Sequence, residues 1–130
     1  MRALLRVLVV LWAGSLWSLA MWVTPTLFFR QGDRHMAGVL AGQMFSIETY
    51  LGLAVMLLAV LLPGRAKYLW GVGAASILSL NEWAIRPALI LAHTSRYMGL
   101  TFGAWHGVSA IAYGLACLAV LLLVWKNDLR

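Results

Sequence analysis

The stretch Ser79-Leu80-Asn81-Glu82-Trp83-Ala84-Ile85-Arg86-Pro87 places a carboxylate and a guanidinium inside a segment that is otherwise apolar enough to span a membrane. A charged side chain at bilayer depth costs at least about 2.5–3.5 kcal/mol on insertion scales, so such residues usually face a protein interior or a water-filled cavity and have partners there. Glu82 precedes Arg86 by four residues, the favourable order for an intrahelical ion pair. The stretch therefore predicts a helix that packs inside a bundle of membrane helices.

The composition of the whole chain agrees with that interpretation. Its 130 residues are 63% hydrophobic and 11% charged, and the mean hydropathy is +0.87. These values are typical of a chain that consists mostly of membrane spans. Four helices of about 20–27 residues use almost the entire length. We predict an all-α polytopic membrane protein, a single domain over residues 1–130 that forms an up-down-up-down bundle of four transmembrane helices.

The four spans are predicted at residues 3–29, 36–62, 68–92 and 98–125. The first begins with basic residues, as a secretory signal does, but its apolar stretch is too long for a signal, so we predict an uncleaved helix. Near its end, Pro25 is expected to kink or terminate the helix. Short polar links separate the spans, and the second of them is the turn Pro63-Gly64-Arg65-Ala66-Lys67. Short links make consecutive spans antiparallel neighbours.

The net charge of +6 comes from basic residues at span ends, without a run or a patch that would indicate nucleic-acid binding. Lysines and arginines are more numerous on the cytoplasmic side of membrane proteins. That rule predicts that both termini are cytoplasmic, and the compact, loop-poor sequence suggests a bacterial inner membrane. The two sides carry six and three basic residues: Arg2, Arg6, Arg65, Lys67, Lys126 and Arg130 against Arg30, Arg34 and Arg96.

Polar residues on three of the spans predict a buried cluster in the outer half of the bundle. Glu48 lies about 18 Å into its span, deeper than the others. It has no basic partner in its own span, so it is the better candidate for a proton relay. For Glu82 and Arg86, a structural latch that sets helix register and an ion relay both remain open. The predicted cluster consists of Gln43, Glu48, Glu82, Arg86, His106, Ser109 and Tyr113.

Three histidines, His35, His93 and His106, are candidate ligands for haem b or copper at the outer end. Imidazole and the thioethers of Met36 and Met98 suit both groups. The histidines do not show the tight spacing of a metal motif, however, and the alternative for His106 is a hydrogen bond to Glu82 or Gln43. The single cysteine, Cys117, excludes an intrachain disulfide and is expected to be a small buried residue.

Glycines at intervals of four residues predict close helix packing on two spans. One pair lies at the start of span two, and three glycines lie at the start of span four. These faces are also candidate docking surfaces for other membrane helices. The predicted packing glycines are Gly38, Gly42, Gly99, Gly103 and Gly107.

Several segments resemble the DUF4149 family, the domain of transmembrane protein 205. The resemblance is carried by Thr24-Pro25-Thr26-Leu27-Phe28, by Arg34-His35-Met36-Ala37-Gly38 and above all by Phe102-Gly103-Ala104-Trp105-His106-Gly107-Val108-Ser109. Tyr113 stands where members often have asparagine. The resemblance implies no established activity. More distantly, the chain is similar to copper-resistance D proteins, in which histidines of a helical bundle are associated with haem or copper.

Three functions remain open on the sequence alone. The first is a module that binds haem or copper near His106. The second is a small transporter or proton-coupled carrier, with the pathway formed by an oligomer because 130 residues hardly enclose one alone. The third is an accessory or assembly subunit of a larger membrane complex. No nucleophile elbow, phosphate loop or paired carboxylate motif occurs, which favours a role other than catalysis.

Overall fold

The computed structural model describes residues 2–62, 68–92 and 94–128, and nearly all of them are helical. The turn predicted at residues 63–67 and the candidate ligand His93 lie outside the described residues. Among the described residues there is no strand beyond one isolated bridge. The helices are α1 (Arg2–Arg30), α2 (Arg34–Leu61), α3 (residues 69–92) and α4 (Phe102–Asp128). Their bounds lie close to the predicted spans, apart from the start of α4.

Three of the helices are long and apolar enough to cross a membrane: Arg2–Arg30, Arg34–Leu61 and Phe102–Lys126. The chain therefore has the helices of an integral membrane protein, in contact with a lipid bilayer. The described part of α3 is also long, but Asn81, Glu82 and Arg86 lower its hydropathy. These polar groups need partners inside the protein if α3 lies in a membrane.

In the described chain, each helix packs against at least two others. α1 contacts α2 and α4, and α3 contacts the same two helices. The side chains between them are apolar and completely enclosed, as for Leu16 of α1, Leu78 of α3 and Leu123 of α4. Small residues such as Ala59 and Ala116 are also fully buried, so the helix backbones approach closely there. This core fixes the faces on which the polar residues lie.

Two helices contain a π-helical segment that ends two residues before a proline. In α1 the segment is Leu19–Val23, ahead of Pro25, and in α3 it is Asn81–Ile85, ahead of Pro87. Proline lacks an N–H and its ring clashes with the carbonyl four residues earlier, whereas a π turn widens the helix by one residue. The π segment therefore lets each helix pass its proline. Pro25 does not end α1, which continues for five more residues.

The ends of α2 and α4 follow local side-chain chemistry. The Asp33 side chain caps α2 by accepting hydrogen bonds from the backbone N–H groups of His35, at 2.9 Å, and Met36, at 3.4 Å. α4 begins four residues later than the predicted residue 98, because Gly99 has a φ of +76° and belongs to a turn. In that turn the backbones of residues 97 and 100 exchange two hydrogen bonds of 3.1 and 3.0 Å. This conformation is incompatible with a helix.

The closest glycine contacts differ from the predicted ones. A Cβ at Gly52 would overlap the indole of Trp12, and one at Gly71 would overlap the Met56 sulfur and lie 2.8 Å from Leu123 Cδ2. Three glycines predicted to pack in span four make no close contact with another helix in the described chain: two have nothing within 4 Å, and a Cβ on the third would meet only Thr101 of its own segment. Those three are Gly99, Gly103 and Gly107. Gly38 makes a loose contact of 4.0 Å with a phenylalanine ring.

Substitution of Gly52 by alanine is expected to destabilise the protein. The added methyl group needs space that Trp12 occupies, and the Trp12 indole cannot move freely because its Nε1 donates a 3.2 Å hydrogen bond to the Glu48 carbonyl. Overpacking of this kind costs about 1–3 kcal/mol. Thermal unfolding in detergent measures the loss. Gly73→Ala and Gly114→Ala are matched controls because both positions are open; equal losses in all three variants would contradict the packing of Trp12 on Gly52.

Candidate functional site

Ser46 of α2 and Glu82 and Arg86 of α3 form a charged cluster between the two helices. Arg86 Nη1 lies 3.0 Å from Glu82 Oε1 and 3.2 Å from Oε2, which is the ion pair that the four-residue spacing predicts. Ser46 Oγ lies 2.8 and 2.9 Å from the two Glu82 oxygens, and it also accepts a hydrogen bond from Arg86 Nη1. The hydroxyl therefore links the ion pair to the neighbouring helix.

The two charges differ in how far they are enclosed. The Glu82 side chain is 12% exposed and that of Arg86 is 34% exposed. The guanidinium packs against Gly42, where an ideal Cβ would lie 3.4 Å from Nη2, 3.6 Å from Cζ and 3.7 Å from Nε. Gly42 thus has a close contact, but the contact is with an arginine and not with another helix backbone. The missing side chain provides the space in which Arg86 reaches Ser46.

A second polar contact connects α3 with α4 directly beside the charged cluster. Ser109 Oγ donates a 2.8 Å hydrogen bond to Asn81 Oδ1, and both residues are buried. The Tyr113 hydroxyl lies near Asn81 and within electrostatic reach of Glu82 and Arg86. Its ring stacks on Phe45 of α2, with centroids 3.8 Å apart. Polar groups from α2, α3 and α4 therefore meet at one level of the bundle.

Glu48 lies apart from the charged cluster, on the side of α2 that faces α1. Glu48 follows Ser46 by two positions, which places the two side chains about 200° apart on the helix. The side chain is 7% exposed, and Oε2 accepts a 3.0 Å hydrogen bond from Ser15 Oγ. Trp12 donates to the Glu48 backbone carbonyl, and Cys117 of α4 is near enough to interact electrostatically with the carboxyl. The two carboxyl groups thus occupy separate interfaces.

Two members of the predicted buried cluster are exposed. Gln43 and His106 both lie on the surface of the bundle. His106 has its ring 6.2 Å from that of Phe102, one turn earlier on the same helix, and not at the α3 interface. Contrary to the prediction, His106 is exposed, and the hydrogen bond of α4 to Asn81 of α3 is made by Ser109, three residues further on.

The candidate metal ligands are not brought together in the described part of the chain. His35 is exposed at the start of α2, and Met36 and Met98 are exposed as well. Among the described residues, no group of three or more histidine, cysteine, aspartate or glutamate side chains is placed to hold a metal ion. His93 lies outside those residues. The polar chemistry of the described structure is therefore that of a carboxylate, a guanidinium, hydroxyls and an amide.

The predicted cluster lacks three residues that make its hydrogen bonds: Ser15, Ser46 and Asn81. Each is small or moderately polar, and such residues are common in membrane helices without a special role. The sequence contains one pattern that indicates Ser46, because this residue follows Gly42 by four positions and so lies on the same helix face. Asn81 and Ser15 have no comparable signal, since their partners lie on other helices.

A family model described as a domain of unknown function, DUF4149, matches residues 7–127 of the chain. The chain belongs to the DUF4149 family. The match covers most of α1, all of α2 and α3 and nearly all of α4, so the charged cluster and Glu48 of this DUF4149 protein lie inside the family domain. No curated protein and no solved structure matches the chain. The function of this family member must therefore be argued from its site.

A double-mutant cycle of Glu82→Gln and Arg86→Gln is expected to show energetic coupling. Each single change leaves a partly buried charge without its counter-ion, whereas the double change removes both charges. Because Arg86 is one-third exposed, solvent weakens the pair, and we expect a coupling of about 1–2 kcal/mol. Denaturant or thermal unfolding of the four proteins measures it. Strictly additive losses would show that the ion pair contributes nothing to stability.

Proposed function

We propose that this protein is a single membrane domain of four spans in a bacterial inner membrane, with both termini in the cytoplasm. Two features support the proposal. α3 is enclosed by contacts with α2 and α4, which provide hydrogen-bond partners for Glu82, Arg86 and Asn81. Basic residues are twice as frequent on the side of the termini. With α3 also crossing the membrane, the four helices alternate in direction and form an up-down-up-down bundle.

Within this topology, the protein works as a small proton-coupled carrier whose exchange centre is the charged cluster. The observation that carries this proposal is the unequal enclosure of the ion pair. Glu82 is nearly covered, whereas Arg86 keeps about a third of its side chain exposed. Ionisable groups inside membrane spans commonly mark substrate, ion or proton pathways. A carboxylate that can take up a proton beside an accessible cation has the components of such a centre.

Ser46 allows the cluster to change its hydrogen bonds. Its hydroxyl has one proton, and three acceptors lie within reach: the two Glu82 oxygens and the Gly42 carbonyl at 3.0 Å. If Glu82 takes up a proton or turns away, the hydroxyl can donate to Gly42 instead. The buried hydroxyl is then not left without a partner, which would cost about 1–3 kcal/mol. Both arrangements of the cluster are therefore accessible.

The geometry favours this function over a haem or copper centre, the alternative that the distant similarity to copper-resistance D proteins implies. His35 and His106 are exposed and lie on different helices, without a clustered ligand set among the described residues. A His106→Ala variant is accordingly expected to keep the activity of the wild-type protein. The proposed carrier function requires the charges of Glu82 and Arg86 and does not require a histidine.

Proton movement in reconstituted vesicles tests the carrier function. Vesicles that contain a pH-sensitive dye are given gradients of small organic and inorganic ions, one at a time. We expect at least one gradient to move protons through the wild-type protein and not through Glu82→Gln, which cannot release a proton. Glu48→Gln is the matched control, because that carboxyl lies at the other face of α2 and bonds to Ser15.

Two outcomes would contradict a proton-coupled carrier. In one, no gradient moves protons faster than in protein-free vesicles. In the other, Glu82→Gln retains the full flux, so that the carboxyl has no part in it. A loss in Glu48→Gln alone would transfer the proton-binding role to the α1–α2 interface.

A second candidate function, assembly with other membrane helices, has its own support at the start of α4. Gly103 and Gly107 are open, and His106 lies exposed between them. Polar side chains and bare backbone on a lipid-facing surface favour helix association. We propose a second copy of this chain as the occupant, because one four-helix unit is too small to enclose a pathway.

The oligomeric state in lipid nanodiscs or mild detergent measures this association. The wild-type protein is expected to be a dimer or larger, and Gly103→Leu with Gly107→Leu to be a monomer, because leucine side chains hold the helix backbones apart. Gly73→Leu, at an open position of α3, serves as the control. A monomeric wild-type protein rules out self-assembly, and a different protein that co-purifies in fixed ratio would indicate an accessory subunit instead.

A further inference from the structure

The guanidinium of Arg86 uses only one of its three nitrogens in the charged cluster. Nη1 donates to both oxygens of Glu82 and to Ser46. Within the described chain, Nε and Nη2 have no hydrogen-bond partner. These two nitrogens lie on the same edge of the guanidinium plane, and their N–H groups form the parallel fork that pairs with two oxygens of a carboxylate or phosphate.

The contact with Gly42 leaves that edge open. An ideal Cβ at residue 42 would be almost equally far from Nη2, Cζ and Nε, at 3.4, 3.6 and 3.7 Å. If that Cβ lay in the guanidinium plane, beyond the Nε and Nη2 edge, it would be clearly farther from Cζ than from either nitrogen. The Gly42 backbone therefore lies under the flat face of the guanidinium. Protein covers that face, whereas the contact with Gly42 does not occupy the edge that carries the two unpaired N–H groups.

The position of Arg86 makes this edge accessible from one end of the bundle. Arg86 precedes the last described residue of α3, Ala92, by six positions, a distance of about 9 Å along the helix. Its side chain runs back towards Glu82, one turn earlier on the helix, and about a third of it remains exposed. Gln43, which is exposed, lies on α2 one turn before Ser46.

We propose that the Nε and Nη2 edge of Arg86 binds an oxyanion group, either a free oxyanion or the phosphodiester of a lipid headgroup. The inference rests on the proposed carrier function, for which it names the class of cargo. An oxyanion on this edge receives two parallel hydrogen bonds from a cation, the geometry that recognises carboxylates and phosphates most specifically. The bound oxyanion also covers the part of the guanidinium that is otherwise exposed.

Charge balance links the oxyanion to a proton on Glu82. In the unoccupied cluster, Glu82 and Arg86 neutralise each other. An added anion makes the cluster negative in a medium of low polarity, which is unfavourable unless Glu82 takes up a proton. Ser46 bonds to Glu82 and Tyr113 lies within electrostatic reach of it, and neither carries a positive charge. Oxyanion and proton therefore enter the cluster together.

Equilibrium binding to the detergent-solubilised full-length protein tests the inference. Calorimetric titration with sodium sulfate, against sodium chloride at equal ionic strength, probes a free oxyanion. Native mass spectrometry that counts retained phosphatidylglycerol against phosphatidylcholine probes a lipid source. We expect one of these ligands to bind the wild-type protein, Arg86→Gln to lose it, and Arg86→Lys to bind at least about tenfold more weakly, because lysine keeps the charge without the fork.

For Glu82→Gln we expect the opposite change, a gain in ligand affinity. Misfolding of the variant could not produce such a gain. This variant mimics the protonated carboxyl, so the same ligand should bind more tightly than to the wild-type protein. Arg96→Gln, at an exposed position outside the helices, is the control for loss of a positive charge. Absence of both ligands from the wild-type protein, equal affinity in Arg86→Lys, or weaker binding in Glu82→Gln would each overturn the inference.

The binding experiment tests the oxyanion site and the vesicle experiment tests the carrier function, so either can give a negative result without the other. Arg86-dependent binding without any proton flux would remove the carrier function and leave an oxyanion-binding site. Proton flux that depends on Glu82 but is driven by a cation gradient, without oxyanion binding, would keep the carrier and remove the inferred cargo.

Discussion

The ion pair of Glu82 and Arg86 is the interaction on which the position of α3 in the bundle depends. Either charge alone would be costly between two apolar helices, and the pair is tolerable because the charges lie 3.0 Å apart and Ser46 of α2 bonds to both residues. Asn81 and Ser109 provide the corresponding contact with α4. α3 is thus held by polar contacts on two sides, in addition to its apolar packing.

A buried polar contact of this kind specifies which helices meet and in which register. Apolar helix faces in lipid have little preference among partners, because lipid chains are as apolar as leucine. The π segment at Asn81–Ile85 and the two π-associated prolines belong to the same arrangement. The segment contains both Asn81 and Glu82, so the widened turn sets the direction of the two polar groups that reach α4 and α2.

The sequence was sufficient to predict the helices and the ion pair, because both depend on local spacing. Apolar runs separated by polar links fix four helical segments, and a four-residue interval places Glu82 beside Arg86. Partners on other helices could not be predicted in the same way. His106 and Gln43 seemed suited to the cluster by depth, but depth does not determine the direction in which a helix face points. Ser46 and Ser109, which are less conspicuous, make the interhelical contacts.

The packing partners of the glycines could not be predicted from local spacing either. An interval of four residues indicates a small helix face without showing what covers it, so Gly42 packs on an arginine, and Gly103 and Gly107 lie open. The closest approaches occur at Gly52 and Gly71, where a tryptophan and a methionine from neighbouring helices fill the space. Such contacts depend on the rotation of two helices relative to each other, which no single segment encodes.

A cryo-electron-microscopy map of the protein in phosphatidylglycerol nanodiscs tests the central claim most directly, namely that the charged cluster between α2 and α3 is the working centre. The account predicts Arg86 paired through Nη1 with Glu82 and Ser46, and density for an anionic group on its Nε and Nη2 edge. An Arg86 side chain that points away from Ser46, or one fully enclosed by protein atoms, would contradict it.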